Sequence, residues 1–145
     1  MKVLITTAII TLTTMLTSVA EYDERELLAA CITLEAVSEG ELGMKAVLNV
    51  IHNRSIERKL SYTDVVLEPY QFSCFNDGVD ILFAKHLAGS QWEVALNLVD
   101  ILLSGYLLDI TNGANHYHTT NITAPYWSDP NKEVFRFRRH VFFKL

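Results

Sequence analysis

Glu35 is the residue in this chain whose placement best suits chemistry. It follows Cys31 by four residues and Ile32 by three, so at helical period Leu28, Cys31, Ile32 and Glu35 share one face. A carboxylate held against apolar side chains is harder to ionise than one in water, which is the condition for a general acid working near neutral pH. Glu39 stands one turn further on, beside the helix end that Gly40 marks, and is expected on the cleft wall as a substrate-binding group. The plainer reading is that Glu35 borders a core and reaches water by its flexible stem, and spacing alone leaves both open.

Other side chains offer partners for such an acid. Asp109 is a second carboxylate near a cleft, although a position just before Thr111-Asn112-Gly113 also suits a turn cap. Gln71, Phe72 and Ser73 form an amphipathic stretch able to line a cleft. Tyr70, Phe72, Tyr117, Tyr126 and Trp127 are a set of loop aromatics suited to stacking on sugar rings. Thr111, Tyr117 and Trp127 are the groups expected to position such a ligand. His116 and His118 would share a strand face and present two metal ligands, with His140 as a third from elsewhere. No His-Glu-x-x-His or paired-cysteine motif supplies that third ligand, and paired histidines beside an exposed turn also read as polar surface. A Gly-rich phosphate loop and a Gly-x-Ser-x-Gly elbow are both absent from the sequence. Cys31 and Cys74 suit an oxidising compartment and are expected to form a disulfide tying the Glu35 helix to the 71–73 loop; two reduced, buried thiols are the alternative.

The elements that must position these groups are mostly helical. With 145 residues, 50% hydrophobic and 20% charged, the chain has the balance of one globular domain. Residues 41–58 place Met44, Val47, Leu48 and Ile51 at the spacing of a core-facing helix, with Asn53-Arg54 at its solvent-side end. Residues 63–67 read as a short capped helical turn stopped by Pro69, and residues 79–88 and 91–103 as two further helices. After Asp109 the pattern alternates, at residues 115–119 and again within 134–143, as strands do. The fold class is α+β, a helical body with a small C-terminal β element.

A formal net charge of −5 argues against a nucleic-acid partner. Lys132, Arg136, Arg138, Arg139 and Lys144 nevertheless crowd the C-terminal end, either as a solvated strand face or as a docking patch for a polyanion. Residues 1–20 read as a signal peptide or signal anchor: Met1-Lys2, an uncharged run, then Ser18-Val19-Ala20 before the charged residues from Glu21. The functional domain is then residues 21–145, exported to the periplasm or to the extracellular wall, with transient inner-membrane association through the leader.

The ordered blocks Glu35-Ala36-x-x-Glu39, Gly43-x-x-Ala46-Val47-x-x-Val50-Ile51-x-Asn53-Arg54, Gln71-Phe72-Ser73-Cys74, Asp109-x-Thr111-x-Gly113-Ala114, Pro125-x-Trp127 and His140-Val141-Phe142 resemble the SleB-type cell wall hydrolases. That family comprises spore-cortex lytic enzymes and many phage endolysins, and the resemblance runs over residues 27–143. It implies a lysozyme-like domain that cleaves the glycan strand of peptidoglycan, commonly as a lytic transglycosylase. It also implies that the first glutamate of the first block, Glu35, is the catalytic acid. Two positions depart from the family pattern. Ser38 and Arg138 stand where glycine is usual, which bears on the turn after the catalytic helix and on the last strand.

A single well-placed glutamate favours the transglycosylase route, in which one group serves as acid and then as base; Asp109 keeps two-carboxylate hydrolysis open. The expected enzyme is a monomer that acts on peptidoglycan without a cofactor. It would be a phage endolysin or a secreted bacterial wall lysin. A zinc-dependent peptidoglycan peptidase or amidase using the histidines, and a glycan-binding module without chemistry, are the alternatives from other classes.

Overall fold

A computed structural model describes residues 22–145, and the leader expected at residues 1–20 lies outside them. Helix α1, Glu24–Ala36, is started by Asp23, whose carboxylate accepts the Glu26 N–H at 2.9 Å. Every residue from Leu27 to Thr33 is fully buried. The helix is therefore enclosed on all sides, and its apolar residues do not form the single face that the spacing of Leu28, Cys31 and Ile32 implied. Its enclosure comes from α2 (Gly40–Arg58), α3 (Tyr62–Leu67), α4 (Ile81–Ala88) and α5 (Gln91–Leu103), all of which pack against it. Each large aliphatic side chain so buried contributes about 1.5–3 kcal/mol.

The first helix stops one turn earlier than Gly40 suggested. Ala36 leaves helical geometry at φ −146°, and Val37–Glu39 form a 3-10 turn. Gly40 then adopts φ +74°, a conformation that side chains disfavour, and the chain folds back as α2. Close packing at this corner also requires Gly43, where an added Cβ would lie 2.3 Å from Cβ of Glu39.

Helix α2 serves two cores. Met44, Val47, Leu48 and Ile51 face α1, while Ala46 and Val50 pack with Ala114 and Phe142 beneath a small sheet. Its end is not solvent-side as Asn53-Arg54 suggested: Arg54 is 5% exposed. Helix α5 has the span read from the sequence. Helix α4 begins at Ile81, because the Asp80 carboxylate accepts the Phe83 N–H at 2.8 Å and caps it. The 71–75 stretch is a loop ending in a 3-10 turn, Ser73–Phe75, not a strand.

The sheet is antiparallel, with β1 (His116–Thr119) and β2 (Glu133–Phe137) on either side of β3 (His140–Phe143). Tyr117 pairs with Phe142, and that face turns toward α2. His116 and His118 occupy the other face against Trp127. No helix among the described residues is long and apolar enough to cross a membrane.

Arg138, in the tight turn between β2 and β3, has φ +48°. This is one of the two positions at which the resemblance noted above implies glycine, and a Cβ at a left-handed site carries a steric penalty that glycine avoids. Arg138→Gly is therefore expected to stabilise the protein by about 1 kcal/mol, seen as a higher denaturant midpoint at unchanged slope.

Candidate active site

Glu35 lies in the last turn of α1, where the helix emerges from the core between the Ser73–Phe75 turn and β1. One carboxylate oxygen accepts the Cys74 backbone N–H at 3.2 Å, and the other accepts the Tyr117 hydroxyl at 2.7 Å. Its surroundings are thus less apolar than the helix pattern implied, because the carboxylate is half-buried and both oxygens face donors. Burial and then the adjacent Glu35 charge push the Tyr117 phenol well above its ordinary pKa, so it remains a donor throughout the neutral range.

Two cavities meet at this carboxylate. One, of about 390 Å³, is walled by Arg54, Tyr70, Gln71, Ser73, Tyr117, His118, Thr119, Pro125 and Trp127. The other, of about 500 Å³, is walled by Leu34, Ser73, Cys74, Asp80, Phe83, Leu87 and Thr119. Glu35, Ser73 and Thr119 line both, so the acid stands where the two cavities adjoin as segments of one groove.

Of the other residues proposed from the sequence, Gln71, Ser73, Tyr117 and Trp127 line this groove, and Glu39, Phe72, Asp109 and Thr111 line neither part of it. Glu39 is only 2% exposed and is gripped by Arg139, through Nε at 2.9 Å and the backbone N–H at 3.4 Å. Burial opposes its ionisation, but the Arg139 contacts prevail and hold the carboxyl below its ordinary pKa. Ser38, the other departure from the family pattern, accepts from the same guanidinium at 3.1 Å. Asp109 gathers Thr111 N–H and Oγ1 at 2.7 and 2.6 Å, Gly113 N–H at 2.7 Å and the Asn53 amide at 3.2 Å. Those donors outweigh its partial burial and keep it ionised as the staple of a loop. Phe72 is buried beneath the Arg54 guanidinium, 5.3 Å from its ring centroid.

The disulfide expected between Cys31 and Cys74 is not formed: both cysteines are free. Burial, and then the neighbouring Cys74 thiol, push Cys31 well above its ordinary pKa, which keeps it a protonated thiol packed inside α1. His116 and His118 are engaged by Asn115 Oδ1 at 2.8 Å and Ser128 Oγ at 3.1 Å. His140 lies apart from them, packed near Tyr117 with both ring nitrogens unpartnered among the described residues. No three His, Cys, Asp or Glu side chains converge to hold a metal ion among the described residues.

Sequence reasoning missed Arg54, Asp80 and Thr119. Arg54 was detectable, since it follows Val47 by seven residues and Val50 by four and so continues the buried period of α2. Asp80 and Thr119 carry no local signal, because a cap and a strand end look alike in any fold.

A family model described as cell wall hydrolase matches residues 38–143. The chain belongs to the cell wall hydrolase family. Two solved structures share the fold of this cell wall hydrolase. The catalytic domain of the Bacillus cereus SleB protein aligns with a TM-score of 0.59 and 20% identity, covering 86% of this chain and 94% of that one. The catalytic domain of the germination-specific lytic transglycosylase SleB from Bacillus anthracis aligns with a TM-score of 0.63 and 22% identity, covering 86% and 98%. No curated protein matches the sequence. The family match begins at Ser38, so the case for Glu35 in this cell wall hydrolase rests on geometry.

Two outcomes follow for the groups around Glu35. Tyr117→Phe keeps the ring but removes one donor, and turnover on purified peptidoglycan should fall about 10- to 100-fold with little change in KM. For Arg139→Gln the sign comes from Glu39, whose folded pKa is depressed. Its pairing stabilises the fold above the ordinary carboxylate range, and that contribution disappears as pH falls through the lowered value. The variant should melt well below wild type at pH 7, and the gap should close in acid.

Proposed function

We propose that this protein cleaves the glycan strand of peptidoglycan as a lytic transglycosylase, with Glu35 as the single acid and base. The observation that carries this reading is the position of Glu35 at the junction of two groove segments, oriented by the Cys74 N–H and the Tyr117 hydroxyl. A polymer laid along the groove presents a bond to Glu35 with sugars on either side.

Protonated Glu35 donates its proton to the glycosidic oxygen as the bond to the muramyl C1 breaks. The carboxylate left behind keeps the Cys74 N–H and the Tyr117 hydroxyl as donors, one to each oxygen. That carboxylate then takes the proton of the muramyl 6-hydroxyl as the oxygen bonds to C1. The ring closes as a 1,6-anhydro sugar, and Glu35 is protonated again. No water and no second carboxylate take part. Asp109, the partner that hydrolysis would have used, is committed to its loop. Gln71, Ser73 and Trp127 hold the strand, Trp127 by stacking and the others by hydrogen bonds, while the Tyr117 hydroxyl stays on Glu35. Export by residues 1–20 would deliver a catalytic domain of residues 21–145 to the periplasm or the outer wall.

Glu35→Gln is nearly isosteric, cannot donate a proton, and should lower turnover about a thousand-fold or more while the far-ultraviolet spectrum is unchanged. Mass spectrometry of digested sacculi should find anhydro-muramyl ends from wild type and none from the variant. Reducing muramyl ends would instead assign hydrolysis, and freed peptides would overturn glycan cleavage altogether.

A further inference from the structure

Among the described residues Arg54 is the one guanidinium that lines the groove, and no carboxylate pairs with it there. It is 5% exposed, its Nε donates to the Asn115 carbonyl at 2.6 Å, and its Nη1 is buried without a partner among the described residues. None of the salt bridges among the described residues includes it. Phe72 covers one face of the planar group at 5.3 Å. The nearby Glu68 carboxylate is taken by Arg58 at 2.5 Å, and Glu57 accepts from the Asn115 amide at 3.1 Å. Burial draws the pKa of Arg54 down from its usual value, as expected of a cation with too little compensation. A buried charge of this kind is strongly unfavourable unless something completes it. The group lines the groove together with Glu35, Gln71, Tyr117 and Trp127.

The glycan read as substrate above narrows what that completing group is. Acetamido sugars are uncharged, and an alternating strand departs from this only at the muramyl residue. There a lactyl arm ends in a carboxyl group, either free or joined to a peptide that bears carboxylates of its own. We propose that Arg54 is a specificity-determining residue that receives a carboxylate on the muramyl lactyl arm. It thereby selects muramyl glycan over an uncharged acetamido-glucan of the same length. A guanidinium anchored through Nε to the Asn115 carbonyl, with Cζ 5.3 Å over the Phe72 ring centroid, has its remaining N–H groups held in place, and their planar fork matches a carboxylate. The inference rests on the glycan-cleaving reading of this same groove.

The test measures binding by Glu35→Gln protein, which holds strands without cutting them. Its ligands are a muramyl tetrasaccharide with free lactyl acids, its methyl ester, the peptide-bearing form, and a chitin tetrasaccharide. The free acid or the peptide-bearing form should bind at least ten-fold more tightly than the ester and the chitin fragment, and added salt should erode the advantage. Whichever of the two charged forms gains more identifies the carboxylate as the arm's own or the peptide's. Adding Arg54→Gln should abolish the preference, and Arg54→Lys should leave only part of it. Because the readout is a ratio between ligands on one protein, a general loss of stability does not mimic it. If Arg54→Gln does not fold, the acid-to-ester ratio of the Arg54-containing protein and its change in Arg54→Lys decide the matter. Equal affinity for the ester and both charged forms, or a preference that survives loss of Arg54, would overturn the inference while leaving glycan cleavage standing. Sacculi left uncut by wild-type protein would instead remove the glycan reading and this inference with it.

Discussion

The polar edge of α2 is the constraint on which the rest of the structure depends. Asn49 bridges the Leu108 carbonyl and the Ile110 N–H at 3.3 and 3.1 Å. One turn on, Asn53 holds the Ala114 carbonyl at 2.9 Å, and Arg54 holds that of Asn115 at 2.6 Å. A helix normally satisfies only its own backbone. Here three side chains on successive turns satisfy the backbone of a segment that has no regular structure of its own, which would otherwise leave buried polar groups unpaired. That segment leads directly into β1, so the stripe on α2 decides where Tyr117 arrives.

The helical body supplies the other half of the site. Complete burial of α1 from Leu27 to Thr33 leaves the helix no freedom to rotate about its axis, and Glu35 inherits that rigidity two residues further on. The Glu39–Arg139 pair then braces the β2–β3 turn against the corner where α1 gives way to α2. An acid with a donor at each oxygen, where the two groove segments adjoin, is thus held from both sides, by the buried helix α1 and by strand β1.

Much of this was legible in the sequence where burial is one-sided. Helix α5 shows a clear apolar stripe and was read with its true ends, and the alternation at residues 115–119 located β1. Reading failed where burial is many-sided or where the partner is distant in the chain. α1 looks amphipathic over a few positions, yet four helices surround it, and local period cannot show neighbours that come from residues 40–103. Asn53-Arg54 looked like a polar helix end because the carbonyls that need it lie about 60 residues away, as the separations of 61 for both bonds show. Asp109 looked equally fit for a turn and for a cleft. Four donors within the loop and α2 decided for the turn, and only coordinates reveal all four. Proximity of Cys31 and Cys74 was correctly sensed, but a thiol pair and a disulfide have the same sequence.

The Tyr117 to Glu35 hydrogen bond joins residues 82 apart. Among the described residues β3 is the one strand that pairs with β1, so the register of Tyr117 depends on residues 140–143. Contacts of such long range are the last to be rewarded during folding, because the loop between them must be closed first. On a ribosome the helices emerge well before the strand that completes the site. Competence therefore waits for β3, and a chain cut short before residues 140–143 carries its glutamate and Tyr117 without the strand that holds the two together.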